Sequence, residues 1–461
     1  MELAGTTDTI LVTGSILVAI VLFAGGAKAQ ISVVSLGANP NGTNAAGTTA
    51  AFRTAFSAYP TASIIVPPGR YLIDNSSGPL LIQNFSGQFE FQGNAQLVFT
   101  NNTQGGLFFE GGNGARISGL QATYATPPTV RASPNEQIKF SDTTNTSVSD
   151  ISVEYSPAAG ILFYNAVNPR VTNATVTNSL ADGLNFSNCQ NAQVTNLNTM
   201  NTGDDGLSFL NYAQYPNKTG GTAQTINITN SHSRGIAIMG QSNVTVTGFQ
   251  IENTASSGVL VAQDVAYNTR VPGNVTIRNG TVSGAGTLPP LAGNHYGLEY
   301  NSQTSVTFSN ITVIGSGDAG LSGASTNGSV TVSSVTVQNP LSGVGFLFYQ
   351  TGTVQVSNLT AEGVPSYGFL FLQSARVVAQ GLTALDVSRS DPLRRAVWFE
   401  NGRSILATDL KIVSNAGEAN VVGAYQGAGY SQSGSVKGIT AEVAGGALSI
   451  QNNSAKLTIA P

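Results

Sequence analysis

A glycine followed by apolar residues at alternating positions recurs along the middle of the chain. It reads "GILFYN" at Gly160, "GLNFSN" at Gly183 and "GLSFLN" at Gly206, with a spacing of 23 residues each time. The series continues at Gly235, Gly258, Gly297, Gly320, Gly345 and Gly368, several of them again 23 apart. The residue after the glycine is Ile161, Leu184, Leu207, Ile236 or Val259, and two further on stand Phe163, Phe186, Phe209, Ile238 and Val261. Such alternation marks short strands with one face turned inward. Between the glycines lie longer strand-like runs, such as "VTNATVTN" at Val171 and "VTVTGFQIEN" at Val244.

Amides keep the same period. Asn165, Asn188, Asn211 and Gln263 stand five residues after a glycine, and Asn178, Asn201, Asn230 and Asn253 five before one. Asn tolerates the left-handed backbone of a sharp turn, and stacked amides can bond to one another along a column. A flat antiparallel sheet gives no reason for three features to superimpose at one offset. A solenoid of stacked parallel strands, a parallel β-helix, does. The fold class is therefore all-β, with residues 30–461 forming a single domain.

The N-terminal part, with "VVSLGANPNGT", "TAAFRTAFSAYP" and "IIVPPGRYLI" in succession, resembles the opening of the pectate-lyase-like right-handed β-helix superfamily. That resemblance implies a capping helix over Thr49–Ala58 inside a cap of about residues 31–75. Covering the first coil is a physical need, since an open end exposes strand edges and core. The tail, about 439–461, is the candidate for a second cap.

Composition narrows the function. Only 9% of the residues are charged, the net charge is −4, and the 19 Lys and Arg form no run. A nucleic-acid surface is not expected. The single cysteine, Cys189, allows no internal disulfide. Residues Ile10–Phe23 form an apolar run and Ala27-Lys28-Ala29 precedes Gln30, the pattern of a signal peptide over 1–29. Glu2 and Asp8, with no basic residue before the run, depart from that pattern, and an uncleaved anchor is the alternative. No other segment is apolar enough to cross a membrane. The expectation is a secreted or periplasmic protein, of bacterial type given the lack of disulfides. The N-x-S/T sequons are a by-product of an Asn- and Thr-rich repeat. The number of copies in the working assembly is left open.

Against this low-charge background, "TGDDGLSF" places two acids side by side at Asp204 and Asp205. In register, the residues just before the glycines form a column of Ala159, Asp182, Asp205, Arg234, Ser257, Tyr296 and Ala319. Strands on successive coils lie roughly 4.8 Å apart, so Asp182 and Asp205 should be neighbours, with Asp204 beside them and Arg234 one coil on. His232, His295 and Glu299 lie near the same column. The glycines should leave room there for something flat to approach. Insertions at Asn211–Thr222, Ala266–Gly273 and Thr287–Asn294 should wall a groove, with Tyr212, Tyr215 and Tyr267 offering faces for sugar rings. Crowded carboxylates beside a groove suit glycoside hydrolysis, one as acid and one activating water. A Ca2+ site or plain turn chemistry are the alternatives.

At "ADGLNF" and "TGDDGLSF" the chain resembles glycoside hydrolase family 28, the polygalacturonase-like enzymes. The resemblance implies an inverting hydrolase in which Asp204 is the general acid and Asp182 and Asp205 hold the water. It stops at "SRGIAIMG", where Arg234 occupies the family's histidine position, and at "GVLVAQD", where Leu260, Val261 and Ala262 replace the family's Arg and Lys segment. The substrate is then expected to be a neutral or differently charged polysaccharide, contacted by Arg234, His232, Tyr296 and His295, with Glu299 either at a neighbouring subsite or a plain solvated strand residue. A lyase of the same superfamily is the rival reading. One of Arg234, His232, His295 or Tyr296 would be its base, and a Ca2+ ion its neutraliser. A non-catalytic glycan-binding or surface β-helix is the rival of another class. No P-loop, GxGxxG turn, HExxH or CxxC pair occurs, so neither an organic cofactor nor a resident metal is expected for the hydrolase.

Overall fold

The computed structural model describes residues 30–301, 305–388, 390, 393, 395–414, 421–444 and 448–460. The segment read as a signal peptide lies outside the described residues. The strands form two long parallel arrays, one of 15 short strands and one of 20. The short strands are those that follow the repeat glycines. Their register pairs Ile161 with Leu184, Leu184 with Leu207, Leu207 with Ile236 and Ile236 with Val259, so one turn of a solenoid is the 23-residue offset, or 29 residues where the 211–222 insertion lies.

The longer strands each turn a corner. Their mid-strand residues Asp150, Asn173 and Asn196 have φ of 54–57° and drop out of the ladder between paired neighbours. Asn173 donates through Nδ2 to Asp150 Oδ1 at 2.9 Å and accepts from Asn196 Nδ2 at 2.9 Å. A second column runs from Asn178 through Asn201 and Asn230 to Asn253, with Nδ2 to Oδ1 distances of 3.0, 3.1 and 3.3 Å. This is the ladder expected before the glycines. The ladder expected after them breaks, because the 211–222 insertion claims it. Asn211 donates to Asn217 and Lys218, and Asn188 accepts from the Tyr212 amide.

Inside, Phe109, Phe140, Phe163, Phe186 and Phe209 stack ring on ring at centroid separations of 4.5–5.4 Å. The repeat glycines serve this core and leave no space for a ligand. A Cβ at Gly183 would meet Gly206 O and Thr199 Cγ2 at 2.6 Å, and one at Gly206 would meet Ile228 Cγ2 at 2.5 Å. They mark where two walls of the coil touch.

The N-terminal helix spans Ala45–Ala58, four residues longer at its start than expected, because Asn44 accepts from the Gly47 amide and begins it. Phe52 and Phe56 are buried against Tyr71, Phe85 and Phe89. The C-terminal end carries no separate cap among the described residues. Ser433–Val443, Ser449–Asn452 and Lys456–Ile459 simply continue the ladders.

Candidate active site

The acids sit on the turns that lead into the short strands. Those turns are held by a column of buried hydroxyls four residues before each glycine: Ser156, Ser179, Thr202, Ser231 and Thr254. Thr202 Oγ1 donates to Asp204 O at 3.0 Å, Ser179 Oγ to Ala181 O at 3.0 Å and Ser231 Oγ to Arg234 O at 2.7 Å. This column shares the glycine period, so its signal is present in the sequence.

The coils stack as expected. Gly160 N donates to Asp182 O, Gly183 N to Asp205 O and Gly206 N to Arg234 O, at 2.9–3.0 Å. One carboxylate oxygen from each of Asp182, Asp204 and Asp205 lies within 4.8 Å of the others. Asp182 is 7% exposed and Asp205 2%, whereas the Asp204 side chain is 28% exposed. All three line an open cleft of about 250 Å³.

Each carboxylate has a different set of partners. Asp182 accepts from Ser208 Oγ at 2.7 Å, Asn185 Nδ2 at 2.5 Å and the Asp205 amide at 3.3 Å. Asp205 accepts from the Arg234 amide at 3.1 Å and from Arg234 Nη2 at 3.0 Å, with Arg234 Nε 2.8 Å from its other oxygen. Asp204 is paired to Arg131 Nη1 at 2.9 Å and lies 3.9 Å from Arg234 Nη2. Burial pushes the Asp182 carboxyl up to about 7. The Asp205 and Asp204 charges add to that, and the bonds from Ser208 and Asn185 oppose it. Asp205 is also raised by burial, against the pull of Arg234. Arg234 is pushed above its ordinary range, chiefly by Asp205. A cation could use three oxygens at this spacing, but two guanidiniums already stand against two of the carboxylates.

The insertions do build a wall. Tyr212 pairs with Thr269, Arg270 Nη2 donates to Tyr215 O at 2.7 Å, and Ala213 N to Asn268 O at 2.8 Å. Tyr212 and Tyr267 line the cleft with Asp264. Leu210, Met239 and Leu260 form a small apolar cluster against Tyr212, separate from the main core.

Of the substrate-binding residues expected beside the acids, Arg234 reaches the cleft and the others are not among its lining. His232 is exposed, with Nδ1 3.1 Å from Thr202 O. His295 packs on Gly286, and Tyr296 is half-buried beside Ser322. Glu299 is 8% exposed, not a solvated strand residue. The 287–294 insertion folds over it, so that it accepts from Asn294 Nδ2 at 2.7 Å and from Ser257 Oγ. Arg131, Asn185, Ser208 and Asp264 join the site without having been singled out in the sequence.

Residues 159–337 match the family model described as right handed beta helix region. No curated protein matches the chain in sequence. Among solved structures, the catalytic unit of a thermostable GH87 alpha-1,3-glucanase from Streptomyces thermodiastaticus strain HF3-3 aligns with TM-score 0.61 and 20% identity, over 78% of this chain and 69% of that one. The catalytic domain of a GH87 alpha-1,3-glucanase in complex with nigerose aligns with TM-score 0.53 and 16% identity, over 80% and 67%. A surface adhesin of Streptococcus pneumoniae aligns with TM-score 0.46 and 10% identity, over 77% and 90%. At these identities the likeness is one of fold. The chain is a right-handed parallel β-helix.

Proposed function

We propose that the protein is an exported glycoside hydrolase acting on an uncharged polysaccharide by carboxylate acid–base chemistry. The observation that supports this reading is the charge balance of the cleft. Three carboxylates face two guanidiniums, which leaves one negative charge for a proton to neutralise. In the free protein that proton rests on Asp182, the acid with no guanidinium beside it. Asp204, the most exposed of the three, meets the leaving oxygen, takes the proton from Asp182 across the cluster and delivers it there. Asp182 is then ionised and, with Asp205, holds and deprotonates the water.

Inverting enzymes usually separate acid and base by about 6.5–9.5 Å, with the water between them. Here the oxygens lie within 4.8 Å of one another. That spacing is nearer the roughly 5–5.5 Å of retaining pairs, so the inverted product anomer, with Asp182 and Asp205 holding the water, follows from the resemblance to the polygalacturonase-like enzymes and not from this distance. Both cations that line the cleft are already committed, Arg131 to Asp204 and Arg234 to Asp205. None is left to grip a uronate, which favours a neutral glycan. The fold-level neighbour crystallised with nigerose accords with that choice. Of the four bases weighed for a lyase, Arg234 is held against Asp205, and His232, His295 and Tyr296 are not among the cleft lining, which weighs against that reading.

The test is incubation with a panel of plant and bacterial polysaccharides, following reducing ends and ultraviolet absorbance together. Reducing ends should rise without an unsaturated uronate, and proton NMR should show the inverted anomer first. Asp204→Asn should lower kcat by about 10²–10⁴-fold and regain most of it on an aryl glycoside whose leaving group needs no proton. Asp182→Asn should lose activity on both substrates. Unchanged turnover in both variants would end the proposal.

A further inference from the structure

North of the acids, toward the N-terminal coils, the cleft opens into a second cavity of about 260 Å³ that shares Arg131, Asp182, Asn185 and Tyr212 with the first. We infer that this cavity is a sugar subsite in which Glu136 and Lys139 together take adjacent hydroxyls of an uncharged pyranose unit.

Three observations carry the inference. The first is position. Lys139, Leu162, Asn185 and Ser208 pair in register on the outer face of successive short strands, so Lys139 stands two rungs, roughly 10 Å, from Asn185 and its partner Asp182. A glycan lying along the solenoid axis would cross the acids and then reach Lys139.

The second is an unmet polar group. Glu136 is 6% exposed and lines this cavity, yet its Oε2 has no hydrogen-bond partner. The nearest cation, Lys139 Nζ, is 3.7 Å away, too long for a hydrogen bond. A buried carboxyl in that condition needs an account, and a sugar diol supplies one. One hydroxyl donates to Glu136 and its neighbour accepts from Lys139.

The third is the company. Leu162, Pro134 and Tyr164 give apolar surface for a ring, and Tyr164 is braced edge-on by Tyr215 at 5.8 Å.

The inference rests on the glycan-active reading, and the experiment separates the two. Binding of uncharged α-1,3-linked gluco-oligosaccharides, from disaccharide to hexasaccharide, is followed by calorimetry on the Asp204→Asn protein, and turnover is followed on the wild type. Glu136→Met and Lys139→Met should each weaken binding of the longer oligosaccharides by about tenfold or more, while the disaccharide is affected much less. Because Glu136→Met removes a buried acid whose cation stands 3.7 Å away and whose Oε2 has no hydrogen bond, its Tm should hold or rise, which a merely structural role for Glu136 would not give. Tight binding that ignores both substitutions, or a loss that is equal at every length, overturns the subsite while leaving the hydrolase standing. Binding that depends on Glu136 without any turnover keeps the subsite and rejects the hydrolase. No binding and no turnover rejects both.

Discussion

At Asp182 burial, two like charges and three donated hydrogen bonds act on one carboxyl, and burial wins. The consequence for stability has a definite sign. With its folded value raised from 3.8 to about 7, the group adds stability that is full below about pH 4 and lost as the pH rises through about 7. Asp182→Asn should therefore be more stable than the wild type at pH 8, with the gain vanishing near pH 4, as read by thermal unfolding at the two values. The same proton governs catalysis. If the singly protonated cluster is the active form, kcat/KM should fall as the pH rises through about 7. Arg234→Met removes a positive charge from Asp205, so the cluster should hold its proton more tightly and that limb should move to higher pH. A limb that moves down, or stays, would mean that Arg234 does not set the proton affinity of the cluster.

At the scale of strands and turns, one period explains what the sequence made visible. Asp182, Asp205 and Arg234 meet because a 23-residue coil, and one 29-residue coil, bring turn over turn. The hydrophobic columns and the Asn178–Asn253 ladder follow from the same arithmetic. Residues that leave the period were not legible. Arg131 reaches Asp204 across 73 positions from an irregular wall, and Glu136 belongs to the same wall. Glu299 was misjudged because an insertion covers it, and no spacing shows which way an insertion folds. The ladder itself can be tested at Asn173, with φ 55° and an amide bond on each side. Asn173→Gly keeps the backbone and loses the amide bonds. Asn173→Ala also strains a left-handed residue, by roughly 1–2 kcal/mol. Tm should fall in the order Asn, Gly, Ala; equal values for Gly and Ala would show that the turn relaxes.

Across the whole molecule the two ends of the solenoid differ, and a stack held by nearest-neighbour contacts unfolds from its weaker end. The N-terminal coil is closed by Phe52 and Phe56 of the helix, set into aromatic neighbours. From there to Phe209 the core is a continuous column of rings. The last coils have no such plug among the described residues. Ser449–Asn452 is largely exposed, Ser433–Val443 buries two of its residues, and Lys456–Ile459 is paired on one side only among the described residues. The acids lie between, on coils whose short strands are wholly or almost wholly buried. Amide hydrogen exchange should therefore be fastest over 433–459 and slowest from about 138 to 238, with protection rising coil by coil toward the site. Phe56→Ala should cost about 3–5 kcal/mol and erase the asymmetry by opening the other end. Uniform protection, or a C-terminal end that exchanges last, would mean that the rings do not order the stack. The precision of the carboxylate cluster would then have to come from the walls of the cleft alone.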